Sequence, residues 1–487
     1  MNPSVPRRTE EQLRHDALQI WRAGVDAVRS DRLVLEAIQV QGRQLIVADD
    51  IIDLDHVRRI VVVGAGKAGA GMAAGLEQAL GHSLLAEKHV TGWINVPRDC
   101  VRTLNTITLH PGRPAGVNEP TTDGVAGAKH ILEMVAELSE QDLCICLLSG
   151  GASALLPAPA PGISLEDKQR LTRMLSSRGA NIEQLNTVRK QLSLIKGGGL
   201  ARACRAGQLV TLVISDVIGD RLDIIGSGPT VRDTSTPKEA LAILERFAEK
   251  ESDLPRSVVE SLRRRVATGV DHSVTTPITA RMNTSIIGNN ARAVDAAGIE
   301  AVRLGYAYLL SSANTDEGEA DDVGRQLARH AYVMREKEGP DCLVSGGEPV
   351  VRLVDSARRG LGGRNQQLVL AALIQLIETS GVSNPTAPEA REALAGMAIL
   401  SGGTDGEDGP TDAAGAIIGG QETMRRIQRH LLEPAKYLKT NDAYHFFEQI
   451  DCLIKTGPTH TNVCDLRVVL VDRVANGHSV AAHQSDR

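Results

Sequence analysis

The sequence predicts an α/β protein of two lobes, the first built on a mostly parallel sheet. Three observations carry this. Short apolar runs without polar alternation recur between helical stretches, the pattern of strands buried on both faces. Four of these runs end in glycine-rich polar turns: Val61–Val63 into Gly64-Ala65-Gly66-Lys67, Cys146–Leu148 into Ser149-Gly150-Gly151, Leu343-Val344 into Ser345-Gly346-Gly347-Glu348, and Ile399-Leu400 into Ser401-Gly402-Gly403-Thr404-Asp405-Gly406. The alternation restarts after a connection rich in Thr, Ser, Val and Gly at 267–279, dividing the 487 residues into lobes at 1–270 and 271–487.

Thr9 and Gln12 form a capping box for a helix with Leu13, Ala17, Ile20, Gly24 and Val28 on one face, a helix built to dock. A strand at 60–63 leads into a small-residue helix at 67–80, and a strand at 90–96 into a turn-rich stretch, His110-Pro111-Gly112-Arg113-Pro114. A helix at 125–138, a strand at 143–148 and helices at 165–176 and 182–191 follow. The strand at 209–214 enters Ser215-Asp216-Val217-Ile218-Gly219-Asp220. In the second lobe, 285–287 runs into Gly288-Asn289-Asn290 and a helix to 297; strands follow at 307–310, 342–344, 397–400 and 466–471, with a Pro-containing loop at 381–389.

Aromatic residues make up 2% of the chain, so the core is aliphatic and closely packed through 47 glycines. So few rings, with a net charge of −6, argue against a nucleic-acid partner. No window reaches the ~18 apolar residues of a membrane span. Cys144 and Cys146 share one side of a buried strand and read as small hydrophobes. No hydrophobic signal opens the chain, and Glu10, Glu11 and Asp16 disfavour a mitochondrial leader; a cytoplasmic protein is expected, with a mitochondrial address left open by the first eight residues.

Strand-to-glycine turns present backbone N–H groups to anions. Gly64-Ala65-Gly66-Lys67-Ala68-Gly69 matches G-x-G-x-x-G, yet the acid that would read a ribose is misplaced, Glu87 preceding the next strand. Lys67 adds a point charge at a helix N-terminus, suited to a mobile phosphoryl group. Asn186, Arg189, Lys190 and Lys196 lead into Gly197-Gly198-Gly199, where backbone approach to an anion is open. Asp216 and Asp220 stand at a strand's C-terminal end, and Asp405, Glu407, Asp408 and Asp412 crowd a glycine turn. Mg²⁺ held by one or two such carboxylates and substrate phosphates fits, and helix capping is the structural alternative. Arg364, after Gly362-Gly363 and before Asn365, opens a leucine-rich helix; a cation there opposes the helix dipole unless an anion is bound.

These segments, with Ala152-Ser153-Ala154-Leu155-Leu156, Gly226-Ser227-Gly228-Pro229-Thr230, Asp408-Gly409-Pro410-Thr411 and Gly457-Pro458-Thr459, resemble the glycerate 2-kinase family in order from about residue 60 to 470. The resemblance implies an N-terminal Rossmann-like parallel sheet, a C-terminal MOFRL-type α/β domain and a cleft between them. It implies ATP- and Mg²⁺-dependent phosphorylation of D-glycerate to 2-phosphoglycerate, with Lys67 and Arg364 essential. On that reading Asp216 joins them in catalysis. Gly64, Gly66, Ser149, Gly150, Gly151, Ser153, Asn186, Arg189, Lys190, Lys196, Gly346, Gly347, Glu348, Asn365, Thr404 and Asp405 bind substrate or nucleotide, and Asp216, Asp220 or Asp405 holds metal. The oligomeric state is left open, with a homo-oligomer as one option. Departures from the family pattern are Ala152, Gln367, His460 and the stretched His110–Pro114; Gln367 removes a partner charge expected beside Arg364. Two alternatives are an NAD(P)-dependent hydroxypyruvate reductase, motivated by the glycine pattern, and a non-catalytic phosphoester-binding protein.

Overall fold

In the computed structural model, which describes residues 8–117, 119–269, 277–313, 315–382 and 384–472, the helix Glu10–Ala27 starts on the expected capping box. Gln12 N–H donates to Thr9 Oγ1 at 3.1 Å and Thr9 N–H to Gln12 Oε1 at 2.8 Å. Residues 1–7, which bear on a leader, lie outside the described residues. A small antiparallel sheet follows, β1 (Ile38–Gln41), β2 (Gln44–Val47) and β3 (Asp50–Asp53).

The first large sheet comprises β4 (Arg59–Ala65), β5 (Thr91–Pro97), β6 (Ile107–Arg113), β7 (Asp142–Leu148), β8 (Gln208–Ile214) and β9 (Arg281–Gly288). Its spatial order is β6-β5-β4-β7-β8-β9, and every neighbouring pair is parallel. Counted from β4 this is the 3-2-1-4-5-6 order of a Rossmann-like doubly wound sheet. Chain direction across the sheet reverses between β4 and β7. That switch point opens a crevice at their C-terminal ends, where the turns 64–67 and 149–151 lie side by side: Lys67 N–H donates to the Gly150 carbonyl at 2.8 Å.

Two sequence readings are corrected here. His110–Arg113 is the end of β6, not a turn. Pro111 cannot donate to a ladder, but β6 is an edge strand with one neighbour and tolerates it. The strand read as the restart of the second lobe is β9, hydrogen-bonded to β8. Part of the connection at 267–279, namely 270–276, lies outside the described residues.

The second large sheet contains β10 (Tyr308–Ser312), β11 (Cys342–Gly347), β12 (Met397–Gly403), β13 (Gly415–Gly419), β14 (Leu453–Ile454) and β15 (Asp465–Val471), in the order β10-β11-β15-β12-β13-β14. Only β10 and β11 run parallel; β15 is antiparallel to both β11 and β12. Its first residue, Asp465, therefore lies between Gly347 and Gly403, the C-terminal ends of its neighbours.

Helices Ala320–Glu336 and Arg364–Thr379 pack on one face of this sheet through a core including Leu327, Leu370, Leu373 and Ile399. The other face is covered by helix Asn290–Arg303 and, from the far end of the chain, by the N-terminal helix. Leu13, Ala17 and Ile20 are fully buried there, and Trp21 Nε1 donates to the Gly402 carbonyl at 3.3 Å. Gly24 admits this approach, because a Cβ would collide with Leu466 and the Ala293 carbonyl. The predicted docking face is thus real, and its seat is the second sheet. Cys144 and Cys146 are both buried in the first core. No helix among the described residues is long and apolar enough to cross a membrane.

Asp142, the first residue of β7, shows how charge pins the sheet's opposite end. Its buried carboxylate takes Arg58 Nη2 at 3.0 Å, Arg59 Nε at 3.1 Å and Ser139 N–H at 2.8 Å. Burial works to raise its pKa, but these donors prevail and hold it at about 2. Against an unfolded value of about 3.9, the stabilisation is present above pH ~4 and is lost as pH falls through ~2. Asp142→Asn should therefore cost about 1–2 kcal/mol at pH 7, allowing for the partly exposed arginines. It should also flatten the acid limb of stability measured by urea unfolding between pH 2 and 5.

Candidate active site

The site lies where the C-terminal ends of the two sheets face each other. In the first lobe the Gly64–Lys67 turn is fitted to β7: a Cβ at Gly64 would strike the Leu147 carbonyl, and Gly66 adopts φ +145° against Ser149. Ser149 Oγ accepts from Ala68 N–H at 3.0 Å and is fully buried. It fixes the turn that starts helix Gly69–Glu87 and does not line the cavity.

Lys67 reaches across the crevice. Its Nζ lies 2.9 Å from both Asp405 Oδ2 and Glu407 Oε2, carboxylates of the β12 turn in the other lobe. Burial disfavours the ammonium, but the two carboxylates outweigh it and raise its pKa well above the usual lysine range. Arg113, at the end of β6, stands beside Lys67 and Gly151.

Arg364 opens its helix as predicted, and the anions that the dipole argument demands are the protein's own. Its guanidinium holds Asp465 in a fork, Nε–Oδ2 at 2.7 Å and Nη2–Oδ1 at 3.0 Å, and takes Glu348 Oε1 at 2.8 Å through Nη1. Asp408 caps the helix, accepting from Asn365 N–H at 3.0 Å and Gln366 N–H at 2.8 Å. Burial lifts the Asp408 pKa to about 7 against those donors. For Asp408 the structural alternative, helix capping, is the one realised. Gln367 faces away, its amide donating to Asp321 Oδ1 at 3.0 Å and the Leu438 carbonyl at 3.2 Å. It withholds no partner from Arg364.

On the Arg364 side a cavity of about 840 Å³ opens, with Gly151, Ser153, Asn186, Lys196, Asp216 and Arg364 in its wall, while Lys67 lines a separate small pocket with Arg113, Asp405 and Glu407. Arg189 and Glu348 line it too. Gly150 brings backbone against Asp216: a Cβ there would collide with Asp216 Oδ2 and Asn462 Nδ2. Asp216 accepts from Asn462 Nδ2 at 3.2 Å. Burial, then repulsion from Glu348, raises its pKa to about 7. Cys464 ties the pair, its Sγ–H 3.0 Å from the Asp216 carbonyl and 3.7 Å from Glu348 Oε2.

Several predicted side chains stand elsewhere. Lys190 turns from the cavity to Asp223 and Asp233, each at 3.7 Å, because it follows Arg189 on the helix and projects from a different face. Asn365 is buried between Asp408 and Asp465, donating to both, and orients the acids around Arg364. Thr404 Oγ1 donates to the Cys464 carbonyl at 2.7 Å and holds the 456–464 loop. Gly346 and Gly347 are close-approach positions, where a Cβ would strike Asn290 and Glu317. Asp220, at φ +54°, accepts from Asn289 Nδ2 at 2.6 Å and lines a separate small cavity. Asp216, Asp220 and Asp405 do not converge; among the described residues no group of three His, Cys, Asp or Glu side chains is placed to hold a metal ion. His460 does adopt the left-handed φ of +60° that makes a non-glycine residue awkward there. Sequence reasoning passed over Asp465, whose strand-initial position between the last glycines of β11 and β12 is a tertiary property, over Lys168, which carries no motif, and over Arg113, read only as part of the His110–Pro114 stretch.

Fold and site together define a two-lobed α/β protein that gathers cations around a crevice at a topological switch point, the place such sheets hold phosphorylated ligands. Residues 16–263 match the family described as Domain of unknown function (DUF4147), and residues 341–465 match the MOFRL family. The chain is 35% identical to a glycerate kinase of Danio rerio over 93% of this chain and 97% of that one. It is 34% identical to the D-glycerate 2-kinase of Thermotoga maritima, over 95% and 99% respectively. The crystal structure of glycerate kinase from T. maritima superposes with a TM-score of 0.75 at 33% identity, covering 95% of this chain and 100% of that one. A Pyrococcus horikoshii structure gives 0.73 at 30% identity, covering 95% and 99%. The chain belongs to the glycerate 2-kinase family.

Asp465 is the keystone of the second-lobe half of the site. Asp465→Ala should leave Arg364 short of charge in a buried setting and destabilise the protein by about 3–5 kcal/mol, read from chemical denaturation.

Proposed function

We propose that this protein transfers the γ-phosphoryl group of ATP to the C2 hydroxyl of D-glycerate, giving 2-phosphoglycerate and ADP. The observation that carries the reading is the meeting of Lys67 with the other lobe's carboxylates across the crevice, at a switch point whose Gly151 separates that lysine from the cavity that Arg364 lines. Phosphoryl transfer asks chiefly for positioning and charge neutralisation. Both cations are held by carboxylates until an anionic ligand competes for them. Lys67 is placed to meet the migrating phosphoryl group, and Arg364 offers its fork to an anionic group of the acceptor or donor. Asp216, on the cavity wall with one hydrogen-bond donor, is placed to orient the acceptor hydroxyl.

Mg²⁺ bound with the nucleotide would offset charge that develops on its phosphate oxygens. Asp216 and Glu348, hard oxygen donors close together on the cavity wall, would hold it. Asp220 has no part in this reading. Nothing in the site favours the reductase, because Glu87 sits in the last turn of its helix and pairs with Arg43 at 2.8 Å, away from the strand ends. Two lobes with the boundary moved from 270 to beyond β9, a cytoplasmic setting, an open oligomeric state and the lack of a nucleic-acid partner belong to the same proposal.

Glycerate and ATP should feed enolase directly, without a mutase, in a coupled assay. A product that enolase accepts only after mutase is added overturns the regiochemistry. Lys67→Ala should lower kcat by about 10²–10³-fold, as loss of one preorganised charge-stabilising donor does, with the circular dichroism spectrum unchanged. Full turnover by that variant would remove Lys67 from the mechanism.

A further inference from the structure

Helix Leu165–Ser177 turns Lys168 inward, onto the cavity that Arg189 and Lys196 also line. The Lys168 ammonium donates to the Leu192 carbonyl at 3.0 Å, and its surroundings lower its pKa through burial and Arg189 with no acid opposing them. Among the described residues Lys196 Nζ meets only neutral oxygens, Ser153 O at 2.8 Å, Ser153 Oγ at 3.0 Å, Gly226 O at 3.4 Å and Ser227 Oγ at 3.5 Å. Arg189 has no ion pair among the described residues, and burial alone depresses it. Asn186 is 3% exposed; its Oδ1 accepts from Ser227 Oγ at 3.0 Å, while its Nδ2 is buried without a partner.

Buried cations are ordinarily given a carboxylate, as Lys67 and Arg364 are here. This wall gathers three without one. We propose that Lys168, Arg189, Lys196 and Asn186 form a single buried subsite for the polyphosphate chain of the phosphoryl donor, and not for the carboxylate of the hydroxy acid. The inference rests on the kinase reading above and deepens it by assigning the two anions to different ends of the cavity.

Charge decides between the two ligands. A triphosphate carries enough negative charge to balance three cations, whereas one carboxylate would leave two of them buried and unmatched. The neighbouring wall supplies Pro157, Ile182, Ile224 and Ile225, an apolar seat for the rest of the donor. Arg364, next to Asp216 and Glu348, is then left for the acceptor's carboxylate. Burial and mutual repulsion push Lys168 down to about 7 and Lys196 well below its ordinary value, so an arriving polyanion would restore their charge.

Calorimetric titration of the full chain with ADP in Mg²⁺, and separately with D-glycerate, tests the assignment. Lys168→Met keeps an unbranched side chain one atom shorter and removes its charge. It should weaken ADP by about tenfold or more, the range for a lost charged hydrogen bond, and leave D-glycerate within about twofold. Its melting temperature should hold or rise, because an unbalanced buried charge has gone. Lys168→Arg should recover part of the ADP affinity. Weakened glycerate with ADP unchanged would assign the subsite to the carboxylate and overturn the proposal. Unchanged binding of both with a lower melting temperature would make Lys168 a tie to the Leu192 carbonyl, which also overturns it. Wild-type protein that binds ADP but forms no phosphoglycerate would defeat the kinase reading alone.

Discussion

A charge taken out of water must be matched, and the architecture of this protein turns on how its buried cations are matched. Lys67 and Arg364 carry the ends of two sheets toward each other, and each is neutralised by two carboxylates drawn from elsewhere in the chain. The Lys67 pair joins the lobes. The Arg364 pair fastens a helix N-terminus to the first residue of β15, so the helix, the β11 turn and the β12 turn converge on one side chain, Asp465. Without that acid the arginine would oppose its own helix dipole.

On the proposed reading, the carboxylates that pair with Lys67 and Arg364 are the groups that a phosphate or substrate carboxylate would replace or join. Asp216 and Glu348 are the converse case, two acids held near each other on the cavity wall, with Arg364 paired to Glu348 alone of the two. Acids gather at one wall of the cavity and Lys168, Arg189 and Lys196 at another, which on the proposed reading gives the acceptor and the donor's phosphates separate ends.

Much of this was legible residue by residue. The capping box at Thr9, the buried strands and the turns after β4 and β7 were read from local patterns and appear in the structure within a few residues, whereas Gly346-Gly347 and Gly402-Gly403, read as turns, are the last residues of β11 and β12. Strand β6 was misread because Pro and Gly are turn residues in general, and only the edge position of the strand makes Pro111 acceptable. Strand β13 and the helices at 237–247 and 256–268 were not identified. Within the site, motif residues divided into two kinds that look alike in sequence. Ser149, Asn365, Thr404 and Asp408 build the turns and caps, while Gly151, Ser153, Asn186, Arg189 and Lys196 face the cavity.

The sequence by itself determined the fold class, the glycine-rich strand ends and the positions of Lys67 and Arg364 near helix starts, because strand burial, helix capping and turn conformation are governed by interactions among neighbours a few residues apart. Only the tertiary structure decided which acid answers which cation. Lys67 finds its partners 338 and 340 positions away, and Arg364 finds Asp465 after 101. Helix Glu10–Ala27 likewise crosses to the second sheet, since an apolar face specifies that it must be covered but not by what. Pairings of that range follow from where two sheets place their strand ends, and no local pattern of residues encodes that geometry.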